Sequence, residues 1–550
     1  MFTGQESGDK EKRGAKQSIN SRAGAERRQR QLMTLRHKAH GEVLKHLRAD
    51  HEDEALGIPE GAVGGTSNVS TALAAGADPN ELVWMFNAET KPAMIPLDLL
   101  PQFVQLVVAG TTPEQVFHGT LMIRKILSVE RDPPYEAVIR TGVVPKLVEL
   151  LDHNHFPKLQ FEAAWALTNI AAGTSENTMM LIHCNAVPKF VNLLASPDAD
   201  CRDQSAWAIG NLAGEGAACR DVALANGAMP ALLRLLLDEA QPLNVLRNAT
   251  WAASNLCRCK PVPDLKEVVI ALPAFASLLN HQDDQLVMDA AWGVSYISDG
   301  QAERVQAVLE AGVLPRIVEL LRSPSNNLKT PAIRTIGNIA AGTDEQTQMI
   351  INAGALPAIA ELLSNPKRAI RKETCWTISN IASGPTHQIE ALVSANIFYP
   401  LLNCLQAMEL DVRKEAAWCV ANVTYCGSAE HIRYLVQIGV IPPLCEALRV
   451  YDSQIVTVIL EALQSFLQMG ESDRSSGFHE ENMVVKQIID CGGIDHLEEL
   501  QKHTNKDVYN LVFNILENFF SVMDDGNADG VPMSDMQFDQ PIQNNTDFQF

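Results

Sequence analysis

The chain has 550 residues, 46% of them hydrophobic, and a net charge of −22. That is apolar material for a large core, yet no apolar run approaches the roughly 20 residues of a membrane-spanning helix. The charge is uneven: residues 1–50 carry twelve Lys/Arg against six Asp/Glu, a net of +6, leaving −28 on the other 500. An acidic body of this kind repels phosphates, which excludes nucleic acid as its ligand, and it attracts basic partners.

The opening MFTGQESGDKEKRG has no apolar segment, so it is not expected to be a secretory signal. Residues 1–55 read as a basic arm, with Arg13, Arg27, Arg28, Arg30, Arg36, Lys38, Lys45 and Arg48 among its cations. Residues 25–48 have few helix breakers and are predicted helical. Residues 56–80 are rich in Gly, Ala, Ser and Pro and read as a flexible linker.

From 81 to 522 a single pattern recurs. A Pro opens an apolar helix at Pro145, Pro188, Pro230, Pro273, Pro315, Pro357, Pro400 and Pro442, and the first six of these helices end in Leu-Leu. Pro costs nothing in the first helical turn, where its missing N–H would be unpaired anyway. A short polar turn and a second helix follow. Gly173, Gly214, Gly300, Gly342 and Gly384 are expected to close that second helix as C-terminal caps. Residues 470–482 form a polar insertion, and residues 523–550 read as a disordered acidic tail dotted with Phe. No segment alternates as a strand does. The fold class is all-α, a solenoid of stacked helical repeats.

The second helix of each repeat carries a pair of residues four apart, which therefore share one helix face. The pairs are Trp165/Asn169, Trp207/Asn211, Trp251/Asn255, Trp292/Tyr296, Arg334/Asn338, Trp376/Asn380 and Trp418/Asn422, spaced by about forty-two residues. Stacking lines them up on one surface. An Asn amide is both donor and acceptor and can pair with an extended peptide backbone. Slots between indoles suit the stems of Lys and Arg, with about 0.5–2 kcal/mol of cation–π attraction per site. Glu162, Asp203, Asp289, Glu373 and Glu415 precede the Trp by three or four residues, and Glu215 follows Asn211 by four. Such carboxylates select the charged heads, so the surface is read as a groove for an extended basic peptide.

Reactive constellations are missing from the sequence. It has no Walker-type loop, GxSxG elbow or HExxH; the Gly-rich run at 214–219 follows a helix rather than a strand. Eleven cysteines lie scattered without a CxxC, as expected of reduced, core-filling thiols in the cytosol or nucleus. The expectation is a protein that is not an enzyme and needs no cofactor or metal.

The segments QFEAAWALTNIAAGT, QSAWAIGNLAGEG, NATWAASNLCR, DAAWGVSYISDG, KETCWTISNIASG, KEAAWCVANVTYCG and CGGIDHLEELQ resemble the armadillo repeats of the importin alpha family, over residues 10–520. The resemblance implies a right-handed superhelical solenoid of about ten repeats with a concave groove. It implies an adaptor that binds mono- and bipartite basic nuclear localisation signals and shuttles between cytoplasm and nucleus. A major site would use Trp165, Asn169, Gly173, Thr178, Asp203, Trp207, Asn211, Glu215, Trp251, Asn255 and Asp289. A minor site would use Arg334, Asn338, Thr347, Glu373, Trp376, Asn380, Glu415, Trp418 and Asn422. The arm would bind importin beta. The last repeats and tail would meet the recycling exportin with its small GTPase.

Two departures from the family pattern stand out. Glu215 occupies a position where the family usually has Asp. The arm reads VLKHLRAD where the family carries a dense Lys-Arg-Arg-type cluster, so autoinhibition by the arm is expected to be weak. The competing reading is a catenin-like scaffold for signalling or adhesion. It predicts a basic groove without regular Trp/Asn rungs, whereas this body is acidic.

Overall fold

A computed structural model describes residues 78–520 except 130, 450 and 451. The arm cations Arg13 to Arg48, nearly all of the 56–80 stretch and the 523–550 tail lie outside the described residues. Among the described residues every regular element is a helix. The first begins at Pro79, where the Asp78 carboxylate accepts from the Asn80 N–H at 2.9 Å.

Eight long helices carry the ladder and are labelled in chain order: α1 Pro113–Leu127, α2 Pro157–Ala171, α3 Ala199–Glu215, α4 Leu243–Leu256, α5 Asp284–Ser298, α6 Asn326–Ala340, α7 Arg368–Ala382 and α8 Leu410–Cys426. Each packs mainly on its predecessor and its successor. Between them sit two shorter helices per repeat, such as Ala302–Glu310 and Leu314–Leu320 between α5 and α6. Contacts are thus local along the chain, and the core is a continuous apolar seam rather than one centre.

The Pro-led helix forms because Pro sits in its first turn and supplies a pre-set φ. Its closing leucines face the seam: Leu150, Leu151, Leu320, Leu321, Leu362 and Leu363 are all at most 3% exposed. Phe190, Phe275 and Phe398 fill the same layer and are fully buried. Phe275 lies so close to α5 that a Cβ on Gly293 would come within 2.4 Å of its ring.

The turn into this helix needs a left-handed residue. Gly312 (φ +70°) and Asn185 (φ +59°) both supply it, the latter by virtue of its short polar side chain. The caps expected at the other end of the repeat work differently. Gly214 lies inside α3 rather than beyond it. Gly173, Gly342 and Gly384 follow their helices because space is short. A Cβ there would come within 2.5, 2.2 and 2.3 Å of the side chains of Asn177, Gln346 and Gln388 in the next helix.

The described residues divide after His431, and those from Ile432 onward form a second compact unit. There the polar 470–482 stretch is partly helical, because Ser453–Ser475 runs on through Gly470. Asp473, nearly buried, is held by Arg433 at 2.6 Å, and this ion pair keeps its carboxyl below the usual range. Asn482 ends the insertion: it caps the helix Met483–Asp490 and donates its amide to the Leu467 carbonyl at 3.0 Å.

No side chain lies within 4 Å of a Cβ built on Gly312, so a substitution there costs backbone strain alone. Gly312→Ala is expected to lower stability by about 1 kcal/mol, and Gly312→Asn by less, in denaturant titrations.

Candidate functional site

The ladder is tied together by its amides. Asn211 Nδ2 donates to the Thr168 carbonyl at 3.4 Å, Asn255 to Gly210 at 3.0 Å, Asn338 to Ser295 at 3.0 Å, Asn380 to Gly337 at 3.1 Å and Asn422 to Ser379 at 2.9 Å. Each acceptor is the third residue after the preceding rung, on the preceding ladder helix. Asn169 differs only in donating to the Ser128 hydroxyl, at 3.0 Å. A carbonyl acceptor dictates which end of the amide faces it, so the nitrogen points along the stack and Oδ1 points away. The Asn255 Oδ1 is buried and has no hydrogen-bond partner among the described residues.

The same third residue also receives the next indole. A Cβ on Gly210 would lie 2.0 Å from Trp251 Cζ3, and one on Gly337 would lie 2.3 Å from Trp376 Cζ3. In sequence these positions are Thr168, Gly210, Ser254, Ser295, Gly337, Ser379 and Ala421, all small. This regularity is present in the chain but carries no chemical signature, so ladder reading passes over it. The indoles are set into the surface: Trp165, Trp207, Trp292 and Trp376 are 6–8% exposed, while Trp251, Trp418, Asn211 and Asn422 are half-buried.

The carboxylates divide into three kinds of environment. Glu162 is paired with Arg124, Nε to Oε2 at 2.6 Å, and the guanidinium stands 4.2 Å over the Trp165 ring. Glu373 is paired with Arg334 at 2.7 Å, with the guanidinium 5.9 Å from the Trp376 ring centre. Burial, the largest single effect, opposes the Arg334 charge, but Glu373, Asp299 and Tyr296 together outweigh it and raise the guanidinium pKa above its ordinary value. Asp203 accepts from a neutral donor, Asn248 Nδ2, at 2.8 Å. Asp289 and Glu415 are buried beside their rungs. Glu215, at the end of α3, is half-buried and accepts from the Ser175 hydroxyl.

Thr178 and Thr347 occupy equivalent corners. Their buried hydroxyls donate back to the carbonyls of Ala171 (3.3 Å) and Ala340 (3.2 Å), joining a ladder helix to the next short helix. Gly173 stands at the first of these corners, against Asn177. At the altered rungs, Tyr296 stacks on Trp292 with ring centres 5.5 Å apart. Trp165, Asn169, Trp207, Asn211, Trp251 and Asn255 follow one another on α2, α3 and α4. Arg334, Asn338, Trp376, Asn380, Trp418 and Asn422 do so on α6, α7 and α8.

One rung was not anticipated. Arg124 on α1 and Ser128 at its C-cap lie 41 residues before Trp165 and Asn169; Arg124 pairs with Glu162 as Arg334 pairs with Glu373 on α7, and Ser128 accepts from Asn169. The only sequence signal is that interval, because neither residue is an indole or an amide. Among the described residues there is no cluster of three or more His, Cys, Asp or Glu fit to hold a metal. The eleven cysteines are free thiols, and burial pushes that of Cys201 up to about 12.

This stacking of three-helix units defines an armadillo-repeat protein. Residues 131–172, 174–214, 217–258, 263–299, 301–341, 343–383 and 385–425 match the armadillo/beta-catenin-like repeat, and residues 482–533 match an atypical armadillo repeat. An engineered protein of known crystal structure superposes with a TM-score of 0.68 at 28% identity, over 76% of this chain and 98% of its own. The chain is 54% identical to importin subunit alpha-2 of Arabidopsis thaliana, covering 77% of this chain and 79% of that protein. It is 42% identical to importin subunit alpha-1b of Oryza sativa subsp. japonica, covering 80% and 82%. It belongs to the importin alpha family of nuclear import adaptors.

Gly337→Ala must displace the Trp376 ring, since rigid indole atoms would meet the new methyl group. The expected result is a shift in tryptophan fluorescence and a stability loss of about 1–3 kcal/mol. Gly214→Ala, whose nearest side-chain atom is 3.5 Å away, leaves the fluorescence unchanged and does not lower stability.

Proposed function

We propose that the ladder is a double site for basic nuclear localisation signals, with the arm at residues 1–55 linking the loaded adaptor to importin beta. The observation that supports this most is the repeated indole paired with an amide whose Nδ2 is bonded along the stack, leaving the Oδ1 of Asn380 and Asn422 as the atom for a ligand. A row of acceptors at one-repeat intervals suits the N–H groups of an extended chain. The half-buried indoles and the buried carboxylates beside them suit Lys and Arg side chains.

The first groove uses Trp165, Trp207 and Trp251 with Asn169, Asn211 and Asn255, and takes its negative potential from Asp203, Glu215 and Asp289. Asp203 accepts from the Asn248 amide and Glu215 from the Ser175 hydroxyl. The second groove uses Trp376, Trp418, Asn338, Asn380 and Asn422, with Glu373 and Glu415. Gly173, Thr178 and Thr347 shape the helix corners at these sites. Between the grooves the Tyr296 ring covers Trp292 and interrupts the slots, so a bipartite signal contributes one basic cluster to each groove. The sparse basic cluster of the arm makes it a weak competitor for the first groove. The last repeats and the tail are the region for exportin-dependent return, and the adaptor cycles between cytoplasm and nucleus.

Trp207→Ala with Asn211→Ala is expected to weaken binding of a monopartite basic peptide by several kcal/mol, about 2–4 if these residues act as interface anchors. Unchanged affinity in calorimetry would refute the first groove. Removal of residues 1–60 should raise cargo affinity by less than about tenfold, despite the effective concentration of a tethered competitor. Titrating one labelled peptide against the two forms checks this.

A further inference from the structure

Two pairs of cysteines meet between helices. Cys375 on α7 and Cys404 in the helix Phe398–Leu405 are hydrogen-bonded thiol to thiol, and so are Cys445 and Cys491. The pairs differ in access. Cys375 is fully buried and Cys404 is 3% exposed, so a solute reaches neither in the folded protein. Cys445 is as well hidden, but Cys491 is only half-buried and open to solvent on one side.

The second pair lies wholly within the unit that begins at Ile432. Cys445 sits in the helix Ile441–Ala447, and Cys491 ends the helix Met483–Asp490. Their approach is built into the backbone. A Cβ on Gly493 would come within 2.5 Å of Cys445 Sγ and 3.0 Å of Cys445 Cβ, so this turn closes on Cys445 only because position 493 has no side chain. Gly492 takes the left-handed φ of +71° that leads into the helix Gly493–Leu500. From that helix His496 Nδ1 donates to the Cys445 carbonyl at 3.2 Å, while Cys491 Sγ donates to the Ile488 carbonyl at 3.4 Å. The Cys-Gly-Gly run thus holds the sulfur of Cys491 beside that of Cys445.

We infer that Cys445 and Cys491 are a modification site for peroxide, which converts them to a reversible disulfide. Cys491 is the thiol attacked and Cys445 the one that resolves. The Cys491 thiolate attacks one peroxide oxygen and the O–O bond breaks. The sulfur becomes a sulfenic acid, and the displaced hydroxide leaves as water. The Cys445 sulfur then attacks the Cys491 sulfur; the S–S bond forms, and the departing hydroxide takes the Cys445 proton as a second water. Two thiols lose two electrons and the peroxide gains them. Burial and the neighbouring thiol push the Cys445 pKa up, so it holds its proton and is not itself the first to react. The new bond joins the last two repeats and closes a loop around the whole Ser453–Ser475 helix. A repeat at the end of a solenoid has a neighbour on one side only and opens more readily than an internal one. Oxidation therefore locks that end, and it does so independently of the peptide-binding reading.

The test treats the full wild-type chain with hydrogen peroxide, alkylates it with iodoacetamide in denaturant and cuts it with trypsin. Cleavage after Arg433, Arg449, Lys486 and Lys502 places the two cysteines on separate peptides, Tyr434–Arg449 and Gln487–Lys502. The expected product is these two joined through sulfur, and dithiothreitol should release them. Cys375 and Cys404 should be recovered alkylated. Amide exchange in Ser453–Ser475 should slow by about tenfold or more in the oxidised protein and recover on reduction, as closing a long loop predicts. Cys491→Ser should remove both effects. Cys445→Ala should leave Cys491 as a sulfenic acid that dimedone traps. Recovery of Cys491 in the wild-type chain only as a thiol or a sulfinic acid overturns the inference. So does a Cys445–Cys491 bond that leaves exchange unchanged. Both deciding measurements are made on the wild-type chain, so they stand even where a variant does not fold.

Discussion

The structure turns on one bond made repeatedly: an Asn amide on each ladder helix donates to the backbone of the helix before it. It lands on the third residue after the preceding rung, and that residue must also be small enough for the next indole to sit against it. A single position therefore sets the spacing, rotation and side-chain orientation of successive repeats. A solenoid has few long-range contacts with which to correct errors, so its geometry must be transmitted neighbour to neighbour. A hydrogen bond of this type contributes about 1 kcal/mol in isolation. Here it also decides which end of each amide faces outward.

That division of labour alters how the amides are understood. Read from sequence, Asn offers donor and acceptor equally to a ligand. In the fold one amide proton of most rungs is committed to the neighbouring repeat, and at Asn255 the oxygen is itself buried. The carboxylates are similarly divided. Asp203 accepts from a neutral amide, while Glu162 and Glu373 are matched by arginines and have their charge cancelled at short range. Charge counted along the chain overstates what the groove can exert.

Much of the architecture was legible because it depends on residues with narrow conformational preferences recurring at one interval. Pro at the head of the short apolar helix and Leu-Leu at its end are in place. The Trp/Asn pairs fall on consecutive helices because residues four apart must share a face. Other features were not legible, for physical reasons. The glycines after the ladder helices were expected as left-handed caps, but three of them mark steric closeness to the next helix, and Gly214 lies inside α3. Closeness to a distant residue leaves no local trace. Arg124 escaped because a rung is recognised by chemistry, and Arg and Ser are not distinctive until their partners are in view. The polar 470–482 stretch holds a helical end that becomes reasonable only once Arg433 is seen against Asp473.

The seating of each indole on a small residue of the preceding repeat has a consequence for how such a chain can change. The pocket for Trp251 belongs to Gly210, and that for Trp376 to Gly337, one repeat upstream in each case. A repeat is therefore not a self-contained cassette. Transplanted alone, it would bring an indole whose seat was left behind and a seat cut for another's indole. The exchangeable unit straddles the boundary, from the small residue of one ladder helix to the Trp/Asn pair of the next. Inheritance, recombination and redesign all have to respect that offset frame.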